Sequence, residues 1–382
     1  MQVKHNFLPE QYKKDGQLGI NHNYLQQQFA DYPEIFKKIE ALIVRGDYTL
    51  GAAVDEFEEE FRKITGTRYA IGVGSGTDAL FLSLKALGID KGDEVITTAF
   101  TFYATIGAIV TAGATPVFVD IGPDYNIDPE KIEAAITPRT KALLPVHWSG
   151  LICDMQRIKA IADKHNLKIV EDACHAIQAE YGDTRAGHYA DTAAFSMHPL
   201  KNLNVWGDGG VIATNSEELH RKLVLLRNHG LIDRDRCQVF AYNSRLDTLQ
   251  AIVALHLMQK LGTITGNRIE HATLYDRLLG QIPGITVPAR DPNKKQVFHI
   301  YSVLAERRDE LQQFLIQAGI DAKVHYPIPM HLQPAAAEYG YKVGDFPVAE
   351  RTANHTISLP VHEFITTADV EYVAGKVSEF YR

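Results

Sequence analysis

Residues 194–203, AFSMHPLKNL, place a serine, a histidine, a proline and a lysine within the six residues Ser196 to Lys201, between apolar runs. A lysine on a surface is solvated and inert, its commonest fate. A lysine drawn into an apolar site loses the hydration of its ammonium, becomes neutral more easily, and can then attack a carbonyl. Two other stretches carry polar groups suited to such a site. GVGSGTDAL, residues 72–80, sets glycines and small hydroxyl residues at the start of a helix. Free N–H groups and the helix dipole favour a phosphate there. Its spacing is neither the dinucleotide fingerprint nor a P-loop, and taken alone a tight turn with a Ser or Thr cap explains it better. EDACH, residues 171–175, ends an apolar run with adjacent acids. Helix capping and pairing with a protonated ring nitrogen are both open for it. A metal would need further ligands at workable spacing, and only His175 is close.

The elements around these residues indicate how they are brought together. From about residue 67 to 215, short apolar runs such as YAIGVGS, EVITTAF, TPVFVDI, KALLPVHWSG, LKIVEDACH, TAAFSMH and GGVIATN alternate with helical segments. Strands alternating with helices imply an α/β chain with a mostly parallel sheet. In such sheets ligands bind beyond the carboxyl ends of the strands. GSGT, TFYAT, HWSG, EDACH and SMHPLKN all fall at those ends, so one composite site is expected. Residues 245–280 read as one or two long helices. FHIYSVLA and IDAKVHYPIP then read as strands around the helix RDELQQFLIQAG, and TTADVEYVAGKVSEFYR as a helix with a threonine cap. The expected division is an N-terminal arm and large domain over residues 1–264, and a smaller α/β domain over residues 265–382.

Composition narrows the class. The chain of 382 residues carries a net charge of −8 and has no basic cluster, which argues against nucleic acid as the main partner. The hydrophobic fraction of 45% permits a large core. Three scattered cysteines read as reduced thiols. The first residues lack the apolar core of a signal peptide, and no segment approaches the length of a membrane span. A cytoplasmic protein is expected.

A pyridoxal cofactor requires a lysine for its aldehyde, an acid for its ring nitrogen, an N–H-rich cradle for its phosphate and a flat group on its ring face. Lys201, Asp172, the GSGT turn and Phe102 supply these types in the right places. None decides alone, but their order and joint placement favour the combination. The collinear stretches GSGTDAL, TFYAT, EDACHAI, FSMHPLKNL, GDGG, LRNHG, YNSRLD, HYPIPMHLQ and SLPVHEF extend the pattern over nearly the whole chain. With them the sequence resembles the DegT/DnrJ/EryC1/StrS family of pyridoxal-phosphate-dependent sugar aminotransferases.

That resemblance implies a fold-type I transferase, like aspartate aminotransferase, acting as a homodimer with active sites at the subunit interface. It implies Lys201 as the lysine that binds the cofactor aldehyde and moves protons, and Asp172 as partner of the pyridine nitrogen. His175 would lie near the phenolic oxygen and Phe102 on the ring. Gly76, Thr77 and Ser196 would hold the phosphate, with Asn243 reaching it from the partner subunit. His325 and His331 would border the sugar pocket, with Tyr326 and His147 as further candidates. Pro199 and His198 would shape the turn before the lysine.

The sequence departs from the family pattern in NLNVWGDGG, with Trp206 and Asp208, in HWSG, and in a long arm, HNFLPEQYKKDGQLGINHNYLQQQF. These changes are expected to touch the pocket wall. The expected activity moves an amino group from glutamate to a keto or aldehyde sugar. The departures lean the reading toward 8-oxo-3,8-dideoxy-octulosonate, giving the 8-amino sugar acid for lipopolysaccharide. Its carboxylate would need a cation from Arg185, Arg227 or Arg245. A nucleotide-linked 3- or 4-keto hexose is the alternative. A dehydratase of the same family would carry histidine in place of Lys201. A non-catalytic pyridoxal-binding regulator would need a DNA-binding module, which is not visible. A nicotinamide dehydrogenase does not fit the glycine spacing.

Overall fold

The computed structural model describes residues 18–382. The first part of the arm, through Gln17, lies outside the described residues. The strands are Tyr69–Val73 (β1), Glu94–Thr98 (β2), Thr115–Val119 (β3), Thr140–Leu144 (β4), Lys168–Asp172 (β5), Glu180–Tyr181 (β6), Thr184–Arg185 (β7), Thr192–Ser196 (β8), Gly210–Thr214 (β9), Ile285–Thr286 (β10), Lys294–Lys295 (β11), Tyr301–Ala305 (β12) and Thr356–Leu359 (β13).

A seven-stranded sheet runs in the order β1-β9-β8-β5-β4-β2-β3. β2, β3, β4, β5 and β8 are parallel, whereas β9 is antiparallel to β8 and β1. Because successive side chains of a strand point to opposite faces, neighbouring apolar residues split between two cores. Ile96, Leu143, Ile169, Ala193 and Val211 pack on one face. Val95, Ala142, Val170, Ala194 and Ile212 pack on the other. Burial on both sides explains why these strands read as continuous apolar runs rather than alternating ones.

The helix Gly76–Ala86 follows β1 and buries Ala79, Leu80, Leu82 and Leu84. Ser75 caps it by accepting from Asp78 N at 3.0 Å. The region 245–280 forms two helices, Thr248–Met258 and Leu261–Leu279. A second, antiparallel sheet, β10-β12-β13, packs against Leu261–Leu279 and the final helix Thr367–Phe380. Thr366 and Asp369 form a capping box at the start of that final helix.

The structure corrects several expectations about the C-terminal part. IDAKVHYPIP is not a strand; it makes only two isolated bridges, Ile320 with Ile20 and Lys323 with Ser358. Pro327 and Pro329 remove two N–H donors from that stretch, so no ladder can continue. FHIYSVLA becomes strand only at Tyr301, because Phe298 takes a left-handed φ of 46°. The expected division after residue 264 falls inside a single helix: Leu261 and Ile264 join the large core, whereas Ala272, Tyr275 and Leu279 join the small one. We propose that the boundary between the two units lies within this helix. The described part of the arm pairs with the smaller unit, where Asp321 N donates to Ile20 O at 2.8 Å.

Candidate active site

A cavity of about 350 Å³ opens at the carboxyl ends of the large sheet. β1 leads into Ser75, Gly76 and Thr77, and β2 into Thr101, Phe102 and Thr105. β5 ends on Asp172, Cys174 and His175, and β8 on Ser196 and the turn to Lys201. The smaller unit closes the other side with Arg268, His299, Lys323, His325 and Tyr326, and the arm adds His22 and Tyr24. The volume suits a small molecule.

Lys201 follows a tight turn in which Lys201 N donates to His198 O at 3.0 Å and Leu200 takes φ 75°. Burial holds its ammonium down at about 8, against the attraction of Cys174 and Asp172. Asp172 is buried and doubly held: Thr105 Oγ1 donates to Oδ2 at 2.8 Å, and Cys174 N donates to Oδ1 at 3.2 Å. Thr105 Oγ1 in turn accepts from Thr101 Oγ1 at 2.8 Å. Burial pushes His175 and His299 well below the ordinary histidine range, so both rings are neutral at pH 7. Their centroids lie 4.4 Å apart, and the Nδ1 of each is buried without a hydrogen-bond partner among the described residues. Buried polar atoms of this kind await a ligand.

The cradle around Gly76 is equally specific. A β-carbon there would lie 2.6 Å from Ser196 Cβ and 3.1 Å from Cys174 Sγ. Gly76 and Thr77 occupy the first helical turn, whose N–H groups have no intrahelical partner. Cavity, cradle, buried acid and near-neutral lysine together fit pyridoxal phosphate.

The remaining expected residues divide. Phe102 and Asp208 are exposed and border the cavity, as does His198. Tyr326 lies 5.7 Å from Phe102, centroid to centroid. Burial lowers His325 to about 3, and its Nδ1 lies 2.9 Å from Ser358 Oγ. Asn243 is exposed and does not line this cavity within the one chain. His147 and His331 do not line the cavity, contrary to expectation. His147 is fully buried and its Nε2 lies 2.8 Å from Glu171 Oε2. His331 is buried 3.1 Å from Glu350 and packs edge-on against Phe346. Trp206 is not in the wall either, because it packs against Phe29 and Phe36. Arg185, Arg227 and Arg245 are engaged elsewhere: Arg185 with the Ile64 carbonyl, Arg227 with Glu58 and Arg245 with Asn228.

The cations that do line the cavity are Lys201, Arg268 and Lys323. Arg268 had a readable signal. It lies on the apolar face of its helix, in the series Ile264, Arg268, Ala272, Tyr275, Leu279, where a charge must serve something internal. Among the described residues, no group of His, Cys, Asp or Glu is arranged to hold a metal, and no helix is long and apolar enough to cross a membrane.

A mostly parallel sheet with this lysine-bearing cavity at its carboxyl edge is the arrangement of a fold-type I pyridoxal-phosphate-dependent transferase. The chain belongs to the DegT/DnrJ/EryC1/StrS aminotransferase family, whose model matches residues 30–378. It is therefore a pyridoxal-phosphate-dependent sugar aminotransferase. The pleiotropic regulatory protein of Geobacillus stearothermophilus is 43% identical, over 96% of this chain and 98% of its own length. The dTDP-3-amino-3,4,6-trideoxy-alpha-D-glucose transaminase of Streptomyces venezuelae is 43% identical, over 92% of this chain and 94% of its own. The crystal structure of S. venezuelae DesV in complex with a ketimine intermediate superposes with a TM-score of 0.92 at 39% identity, covering 95% of this chain and 98% of that one.

Proposed function

We propose that the protein transfers the amino group of glutamate to a nucleotide-linked 3- or 4-keto hexose, with Lys201 as its catalytic residue. The observation that carries the reading is a buried lysine, with its ammonium at about 8, sharing one cavity with Asp172, Gly76 and Ser196. Bound pyridoxal phosphate supplies an aldehyde for the amino group and a ring that withdraws electrons from the adjacent carbon.

The chain's own residues do the rest. The Asp172 carboxylate, held by Thr105 and the Cys174 amide, would pair with the ring nitrogen and favour its protonated form. Gly76, Thr77 and Ser196 bind the phosphate at the helix start. His175 would offer a neutral imidazole to the bound ring. Lys201 would serve as the base that holds and moves the proton, a task suited to an amine near neutrality. Phe102 would supply a flat group for the ring face. His325 and Tyr326 face the sugar.

The dTDP-sugar named for the Streptomyces relative supports a nucleotide-linked substrate. Arg185, Arg227 and Arg245, the cations expected for the octulosonate carboxylate, do not line the cavity, which leaves Arg268 and Lys323 as the cations an acid substrate would have to use. One relative is named a regulatory protein, but the family match and the relatives named as transaminases favour an enzyme. The protein is proposed to work in the cytoplasm as a homodimer. Asn243 and the almost fully exposed Phe240 share one loop, a surface suited to cover by a second copy.

The test mixes the protein with pyridoxal phosphate and glutamate, then offers dTDP- and UDP-linked keto hexoses and 8-oxo-3,8-dideoxy-octulosonate in parallel. Amination of a nucleotide sugar, lost in Lys201→Ala, is expected. Full turnover by Lys201→Ala would sink the assignment, and preference for the octulosonate would replace the substrate.

A further inference from the structure

The two peptide carbonyls flanking the Lys201 side chain are held by one closed ring of buried side chains. Tyr24 Oη donates to Leu200 O at 3.0 Å and accepts from Arg268 Nη2 at 2.6 Å. Arg268 Nη2 lies 3.4 Å from Glu363 Oε2, and the other oxygen of Glu363 accepts from Gln28 Nε2 at 2.9 Å. Gln28 Oε1 accepts from Asn204 Nδ2 at 2.7 Å, and the same Asn204 amide donates to Lys201 O at 2.9 Å. The ring therefore starts on one carbonyl beside the lysine and ends on the other.

We propose that Tyr24 and Gln28, on the segment preceding the large unit, are positioning residues that set Lys201 through this ring. The inference rests on the reading of Lys201 as the cofactor lysine. Three observations carry it. Leu200 holds φ 75°, a left-handed conformation that a β-carbon disfavours, so surrounding contacts must fix it. Tyr24 supplies such a contact directly. The donors that reach the lysine loop are used: the single hydroxyl proton of Tyr24 goes to Leu200 O, and Asn204 Nδ2 serves both Gln28 and Lys201. Tyr24, Gln28, Asn204 and Arg268 are all at most 3% exposed. Polar groups buried that deeply are costly unless they are paired, so the network is specified rather than incidental.

The ring also joins three parts of the chain. Tyr24 and Gln28 come from the arm, Leu200, Lys201 and Asn204 from the lysine loop, and Arg268 and Glu363 from the smaller unit. Tyr24 and its neighbour His22 themselves line the cavity. Seating the arm thus closes one wall and orients the lysine in a single event.

Tyr24→Phe tests this with little disturbance, since the ring keeps its stack on His362, 4.6 Å between centroids. Gln28→Leu breaks the other limb. Val377→Ala, in the core of the smaller unit, is the control for lost stability alone. The holoenzymes are compared by cofactor dissociation, by the visible absorbance of lysine-bound cofactor, and by kcat and KM. Each network variant is expected to weaken cofactor binding about tenfold, the loss of one well-placed hydrogen bond. The visible band should shrink and kcat should fall in both, with KM for the sugar unchanged in Gln28→Leu, whose site does not line the cavity. Gln28→Glu should lose more than Gln28→Leu, because its carboxylate would face Glu363. Wild-type spectra and affinity in Tyr24→Phe and Gln28→Leu, or losses no larger than those of Val377→Ala at equal melting temperature, overturn the proposal. A wild-type protein without the visible band would overturn the reading of Lys201 instead, so the two failures are separable.

Discussion

Gly76 and Ser196 stand so close that a β-carbon on the glycine would lie 2.6 Å from the serine Cβ. The start of one helix and the end of β8 therefore meet at a point where only glycine fits. Gly76→Ala must push these two ends apart. Overpacking of this kind costs about 1–3 kcal/mol, and a displaced cradle loses phosphate contacts as well. Cofactor affinity is expected to fall at least about tenfold, by spectroscopic titration, with the variant still folded by circular dichroism. Unchanged affinity would mean that the two ends do not share the phosphate.

Asp172 gives a second, graded test. Asp172→Asn keeps the shape and removes the charge that holds a ring proton. Turnover should drop on the order of 10²-fold or more. Thr105→Val removes only the bond to Oδ2, so a loss of roughly tenfold is expected. Equal effects of the two variants would show that orientation, not charge, is what Asp172 contributes. Single-turnover kinetics with glutamate read both directly.

The legible and illegible parts of the site separate along a physical line. The loops GSGT, TFYAT, EDACH and SMHPLKN were readable because a switch from apolar to polar at a strand end is a local pattern. What such a pattern omits is the parity of the strand. Glu171 and Asp172 are adjacent, so they point to opposite faces of the sheet. Asp172 enters the cavity. Glu171 turns away and accepts from Gly187 N at 2.8 Å and Tyr189 N at 3.0 Å, with His147 beside it. HWSG carries the same polar signature as the true cavity loops, yet His147 serves the far side. Trp206, expected at the pocket wall as a departure from the family pattern, instead fills a seam against Phe29 and Phe36. Arg268, Glu363 and Tyr24 lie far apart in sequence, and no local spacing pairs them. The seven-stranded order was partly legible. The alternation announced a mostly parallel sheet, but GGVIATN looks like its neighbours and gives no sign that β9 runs antiparallel.

That division predicts opposite phenotypes for the histidines. His147→Leu leaves the Glu171 carboxylate short of a partner in a fully buried place, at a cost of about 1–3 kcal/mol. Its melting temperature should fall by several degrees while KM for both substrates stays within about twofold, since His147 does not line the cavity. His331→Leu should behave in the same way. His325→Gln should do the reverse, changing KM for the sugar with little loss of stability. A KM effect confined to His147→Leu would return that residue to the substrate wall.

The last prediction concerns pH, because two lysines of the cavity titrate together. Burial lowers both Lys201 and Lys323 from the ordinary 10.5 to about 8. The unfolded chain keeps the proton up to about 10.5, so between pH 8 and 10.5 it binds more protons than the folded chain and stability rises with pH. Below pH 8 both states are protonated and the penalty of the buried charge is fully present. Lys201→Met should therefore raise the melting temperature of the cofactor-free protein at pH 7, and the gain should vanish as pH approaches 10.5. Turnover depends on the neutral amine and should rise with pH through about 8. Lys323→Met decides which lysine the profile reports. If Lys201 is the base, the rise persists in that variant, and acetylation of Lys201, followed by peptide mass, shows the same midpoint. A profile flattened by Lys323→Met, with Lys201 labelling unchanged, would move the proton transfer to Lys323.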